Sequence, residues 1–371
     1  MATKTKIRSI LLFEDNPAIV GEIEHAIRPF LGDSFELKVF PLSDAPDGTG
    51  PYEDRLVAAL RMSKYANVAL IVTDRDLSLS KWGGLSEAAV SRAAQLCGIP
   101  VACYRQATAT VEDVISRTPG DGRISLPENR KEQVRLAVIL AEGFVSLEKL
   151  IKSKVSSGKK KAHTNDVADT PGMLLAKILE TPSIGTHFDT YACGAQGAVG
   201  EILAISGSDQ PDSANDHRSL ISALGIWLAD LVMQYPGVLV DEVAAASYLD
   251  IHPADFKKTA VQSLFAGALY SDLPFADSSR PLWWRHRLDG VISDCEAVSG
   301  LDACSKNGIK RIRYCPCAVD GTLHAGYYCM ATQVPISAKN SSGRISWFPP
   351  GADLARIRKD TYRKLSPWIG S

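Results

Sequence analysis

The chain lacks an excess of either charge: 41 Lys and Arg stand against 42 Asp and Glu in 371 residues, a formal net charge of -1. No global field selects a polyanion or a charged surface as partner, so any electrostatic argument must be local. Long apolar runs are missing too. The best candidate, 220–240, is interrupted by Asp230, Gln234 and Pro236-Gly237 before it reaches the roughly 20 residues a membrane span needs. It reads as a core helix, and no membrane partner is expected. Met1-Ala2-Thr3-Lys4-Thr5-Lys6-Ile7 has no apolar core or small-residue cleavage site of the secretory type, so the expected location is cytoplasmic. In that setting the eight cysteines speak for metal or reactive thiols before disulfides.

What is present begins with two apolar runs that end in acids. Ile10-Leu11-Leu12-Phe13 runs into Glu14-Asp15-Asn16-Pro17, and Val68-Ala69-Leu70-Ile71-Val72-Thr73 runs into Asp74-Arg75-Asp76-Leu77. Each reads as a buried strand with carboxylates at its tip. Asn16 caps a following helix with Pro17 at its first position, and Ile19, Val20, Ile23, Ala26, Ile27 and Phe30 recur at helical spacing. Period-two alternation predicts a strand over 35–40, followed by a helix over 54–65. Gly98 closes a helix over 85–97 ahead of a strand over 99–104. A helix over 111–117, a short strand over 123–126 and a long helix over 129–151 complete five βα units. That order implies a doubly wound parallel sheet with its crevice at the carboxyl ends of the strands.

On these residues, 7–152 resembles a response-regulator receiver domain, of flavodoxin-like fold. The resemblance implies that Glu14 and Asp15 form the acidic pair that holds Mg²⁺, that Asp74 is the phosphoryl acceptor, and that Asp76 helps hold the metal. A hard cation bound by carboxylate oxygens would neutralise charge during transfer. Two departures matter. The family's small hydroxyl residue after the fourth strand falls at Tyr104-Arg105, and its lysine before a proline falls at Leu126, with Pro127 kept. The expectation is therefore a degenerate receiver that works without phosphorylation. Its partners would be another protein, a second copy or a histidine kinase, met through the face around the last strand.

Residues 153–170 are polar and aperiodic and read as a linker between a receiver-like domain (1–152) and an output domain (171–371). The output half is expected to be mainly helical. Helices are predicted near 173–179, 198–205, 219–235, 238–249 and 253–269. A winged-helix-like segment over 219–290 would place the helix at 253–268 in a DNA groove, with Lys257, Lys258, Gln262 and Ser263 on its open face. Trp283-Trp284-Arg285-His286-Arg287 offers rings and cations, so Arg285 and Arg287 join the lysines as candidate nucleic-acid contacts, and the tryptophans are candidate stacking groups.

The Cys-rich segment, 291–335, holds Cys295, Cys304, Cys315, Cys317 and Cys329 with His324. Cys304, Cys315, Cys317 and Cys329 are the candidate ligands of a structural Zn²⁺. Cys315 and Cys317 would share a face if 311–314 is a strand. Free buried thiols remain the alternative. A cysteine-hydrolase site at Cys193 and His187 is the enzymatic alternative, and a scaffold subunit of a larger assembly is the other. The reading that best joins these features is a regulatory protein whose degenerate receiver controls a binding module, not an enzyme.

Overall fold

The computed structural model describes residues 7–43, 51–104, 123–158, 170–192, 200, 214–343, 345 and 348–369. It separates into two compact units, the first holding the described residues up to Asp230 apart from 182–192, the second holding 182–192 and everything from Leu231 onward.

The first unit is built on five parallel strands: β1 (Arg8–Phe13), β2 (Phe35–Val39), β3 (Val68–Asp74), β4 (Val101–Tyr104) and β5 (Ile124–Ser125). Their order is β2-β1-β3-β4-β5, the flavodoxin-like doubly wound order expected from the sequence. The helices are α1 (Pro17–Ile27), α2 (Tyr52–Leu60), α3 (Glu87–Leu96) and α4 (Arg130–Gly158). Side chains of β1 alternate between the two faces as a pleated strand requires. Leu11 and Phe13 enter the core beneath α2 and α3 with Leu56, Leu60 and Val90. Ile10 and Leu12 meet Ile23, Ile27, Val134 and Ala137 of α1 and α4. Because both faces are covered, β3 is buried along its whole length and carries an unbroken apolar run instead of an alternating one.

Local signals set the helix starts. Asn16 Oδ1 accepts the Ala18 N–H at 3.0 Å with Pro17 at the first position, and Ser86 Oγ accepts that of Ala89. The expected helix over 54–65 is shorter, ending at Leu60 and followed by a single tight turn at Ser63–Tyr65. The helix expected at 111–117 lies outside the described residues. At the other end, α4 runs through Gly158, into the stretch read as linker.

Two more helices belong to this unit, α5 (Pro171–Ile178) and the helix beginning at Ala214, both packed against α4. Numbered in chain order, α6 (Gly185–Ala192) lies in the second unit and α7 (Ala214–Ile226) in the first, with α7 continuing as a π-helical stretch over Trp227–Val232. Gly98 permits the approach of α7 to the end of α3. Its φ is +62°, and a Cβ there would stand 2.6 Å from the Ser219 nitrogen, a position open to glycine alone.

In the second unit the expected helix over 238–249 divides into β6 (Leu239–Asp241) and α8 (Glu242–Tyr248). Asp241 ends the strand because its carboxylate accepts the Ala244 N–H at 2.8 Å and caps the helix. The helix expected over 253–268 is likewise broken, into α9 (Pro253–Phe256), α10 (Thr259–Leu264) and a tight turn at Ala266–Ala268. Lys258 is extended there, and the Phe256 carbonyl freed by the break accepts from Gln262 Nε2 at 2.7 Å. Next comes β7 (Leu282–Trp284), antiparallel to β6 and bridged on its other edge to Leu269. It is followed by α11 (Arg285–Asp294) and α12 (Gly300–Lys306). A small sheet of β8 (Tyr327–Cys329), β9 (Val334–Ile336) and β10 (Ala355–Arg356) and a last helix α13 (Lys359–Ile369) complete the unit. The C-terminal half is thus helical with two small sheets. Among the described residues no helix is long and apolar enough to cross a membrane.

Candidate functional site

The tips of β1, β3 and β4 meet at the carboxyl edge of the first sheet. Glu14 and Asp74 are each 3% exposed, and Tyr104, paired in register with Asp74, is 1% exposed. Tyr104 donates its hydroxyl to Glu14 Oε2 at 2.5 Å. The other Glu14 oxygen accepts the Asn16 N–H at 2.9 Å. Both carboxylate oxygens are therefore engaged within the protein. Asp74 Oδ1 accepts the Asp76 N–H at 3.3 Å, while Asp15 Oδ2 is buried without a hydrogen-bond partner.

Electrostatics follow from this crowding. Burial pushes the Glu14 carboxyl above its ordinary value; the hydrogen bonds from Tyr104 and Asn16 oppose the rise, and the neighbouring Asp74 and Asp15 add to it. Burial, with the hydrogen bond to Glu14, also raises the Tyr104 phenol, so it remains a donor throughout the ordinary pH range. Asp76 does not face the pocket. It is exposed, its carboxylate accepts the Ser78 N–H at 3.1 Å in a local turn, and the Ser78 hydroxyl together with that N–H lowers its pKa. Where the receiver pattern has a lysine, Leu126 is 7% exposed and its N–H completes the sheet to the Cys103 carbonyl at 2.8 Å. Nearby cations point elsewhere: Arg130 lies over the Tyr104 ring at 5.5 Å, and Arg75 donates to Ser125 at 3.3 Å. Arg105 lies outside the described residues.

These residues do not fit a resident Mg²⁺ as they stand. Glu14 is spent on Tyr104 and Asn16, and among the described residues no three His, Cys, Asp or Glu side chains are gathered to hold a metal ion. The cysteines give the same answer for Zn²⁺. Cys304 packs with Leu249, Phe256 and Leu288 in the main core of its unit, whereas Cys317 and Cys329 pack with Ile336 in a separate cluster. Burial pushes the Cys304 thiol up to about 11 and the Cys315 thiol up to about 12. Cys317 is the exception. Against its burial, N–H donors from Ser337, Val319 and Asn340 hold it below its ordinary value, with Asn340 Nδ2 at 3.3 Å from the sulfur. The expected strand at 311–314 is absent, and Arg311 instead takes a left-handed φ of 61°.

Lys257 and Lys258 stand exposed at the break between α9 and α10. Lys257 pairs with Glu242 at 2.8 Å and Lys258 with Asp255 at 2.9 Å. Arg285 and Arg287 have other partners. Arg285 pairs with Asp353 at 2.5 Å and lies over the Tyr248 ring, and Arg287 lies over Trp284. Neither tryptophan can stack a base: Trp283 and Trp284 are 1% and 0% exposed, packed edge-on to Phe256 and against Tyr270.

The sequence reading missed what accompanies the lysines. Asp255, 3% exposed, accepts from Arg313 Nε at 2.8 Å, from a second guanidinium nitrogen at 3.1 Å and from the Arg313 main-chain N–H at 2.9 Å. Lys258 Nζ also donates to the Arg311 carbonyl at 3.0 Å. The 311–314 segment is thereby fastened beside the α9–α10 break. Spacing alone carries no signal for a partnership 58 residues apart. Cys193 lies outside the described residues, so the Cys193/His187 pairing has no geometry to report; His187 lies on α6.

No family's sequence model matches this chain, and no curated protein is significantly similar to it.

Proposed function

We propose that this is a regulatory protein whose receiver-like N-terminal unit works without phosphoryl transfer and governs a C-terminal binding module. The observation that carries the reading is the 2.5 Å hydrogen bond from Tyr104 to Glu14. Transfer to Asp74 would call for a cation held by the carboxylates and a positive group beside the acceptor. A phenol fills the first requirement's place and Leu126 stands in the second's. The unit then acts as a fixed docking surface, with a protein partner or a second copy as what it meets.

For the C-terminal unit the proposed module is winged-helix-like, within the part of 219–290 that belongs to it, from Leu231 onward. In support, β7 pairs with β6 on one edge and, through Leu269 and the 2.7 Å bond from the Tyr270 N–H to the Leu282 carbonyl, with a third strand position on the other. Residues 271–281 form the wing, and α8 and α10 the helical pair. The proposed output is nucleic-acid binding.

Magnesium titration followed by calorimetry tests the pocket. The account expects no binding to the wild-type pocket and measurable binding after Tyr104→Thr, which frees a Glu14 oxygen and leaves a small hydroxyl. Equal Mg²⁺ affinity in the two proteins refutes the closed-pocket reading.

A further inference from the structure

We infer that the surface beside the α9–α10 break binds single-stranded nucleic acid, with Lys257, Lys258, Arg311 and Arg313 meeting phosphates and Tyr314 with His324 offering a platform for a base. The inference deepens the reading of the C-terminal unit as a nucleic-acid-binding output module and rests on it. Its first support is an aromatic pair left outside the core. Tyr314 is 45% exposed, and its ring meets that of exposed His324 edge-on at 4.9 Å. His324 is held in place by Asp250, whose carboxylate lies 2.5 Å from Nδ1. An exposed, pre-positioned ring is what base stacking uses, and stacking tolerates any sequence because every base has a π-face.

The second support is charge. Lys257, Lys258, Arg311 and Arg313 all lie exposed in the same place, joined by the contacts of Lys258 and Asp255 described above. Three carboxylates oppose them. Asp255 is sealed beneath Arg313, Glu242 faces Lys257, and Asp250 faces His324. Asp255 is thus a positioning residue that sets the 311–314 segment and its ring next to the lysines. Arg311 has a left-handed backbone and an exposed side chain. A chain of phosphates with unpaired bases satisfies both features together. A duplex, whose bases are already stacked, uses the cations and leaves Tyr314 idle.

The test is fluorescence anisotropy of the full chain with a labelled oligothymidylate and with a duplex of equal length. The expected result is preference for the single strand with a log K against log salt slope of roughly -3, from about -0.7 for each of four phosphate contacts. Tyr314→Ala should weaken binding about ten-fold or more, and Tyr314→Trp should restore it. Arg311→Ala, on an exposed side chain, should reduce the salt slope while leaving the unfolding midpoint unchanged. Equal affinity in wild type, Tyr314→Ala and Tyr314→Trp overturns the inference. Preference for the duplex overturns it as well but leaves the winged-helix output standing. Failure to bind either probe at low salt removes both.

Discussion

Glu14 and Asp255 are both 3% exposed, yet their environments push them in opposite directions. Glu14 sits among carboxylates with its pKa raised, so the folded protein holds that proton more tightly than the unfolded chain does. The cost of burying its charge is absent below the ordinary carboxylate range and grows as pH rises through the folded pKa. Glu14→Gln keeps an acceptor for Tyr104 and removes the charge. Because its amide NH2 then faces the Asn16 N–H, the readout is the pH dependence: urea unfolding should show the variant without wild type's decline across that window. Asp255 is the mirror case. Hydrogen bonds from Arg313 hold its carboxyl well below its usual range, against the effect of burial. Its contribution is present above the ordinary carboxylate pKa and is lost as pH falls through the folded one. Asp255→Asn should cost about 1–2 kcal/mol at neutral pH, discounted because the Arg313 side chain is 60% exposed. Most of that difference should vanish in acid.

Among the elements, the legible ones are those whose signal is local. The strand β1, its Asn16 cap and α1 follow from an apolar run, an Asx residue and a proline in sequence. The strand β3 follows from an apolar run buried on both faces. Less was legible where distant residues decide. The helix expected over 253–268 is good helical sequence, but it breaks between α9 and α10 at extended Lys258, beside the Asp255–Arg313 pair. Trp283 and Trp284 look like a binding pair by composition; β7 places one in the pocket of Phe256 and the other against Tyr270. In the candidate pocket, sequence identified Glu14, Asp15 and Asp74 and could register Tyr104 only as a departure, because its bond to Glu14 spans 90 residues. Gly98 is legible as a helix stop; its second duty is the closeness of α7. Gly98→Ala adds a left-handed backbone penalty of about 1–2 kcal/mol and an overlap worth about 1–3 kcal/mol. A loss of roughly 2–5 kcal/mol in thermal or urea unfolding is expected, and a loss under about 1 kcal/mol would show that α7 yields there.

For the molecule as a whole, each unit carries its own core and its own candidate surface, and the proposed regulation does not need the chemistry that the first unit's fold is suited to host. That places the central claim at the β1–β3–β4 edge, where acid residues are present and Tyr104 and Leu126 stand in place of the groups that would use them. The direct measurement is intact mass of the protein after incubation with Mg²⁺ and a small-molecule phosphodonor such as acetyl phosphate, beside a phosphorylatable receiver as control. No phosphoryl gain is expected while the control is labelled. A Mg²⁺-dependent gain of one phosphoryl group, mapped to Asp74 and lost in Asp74→Asn, would contradict it.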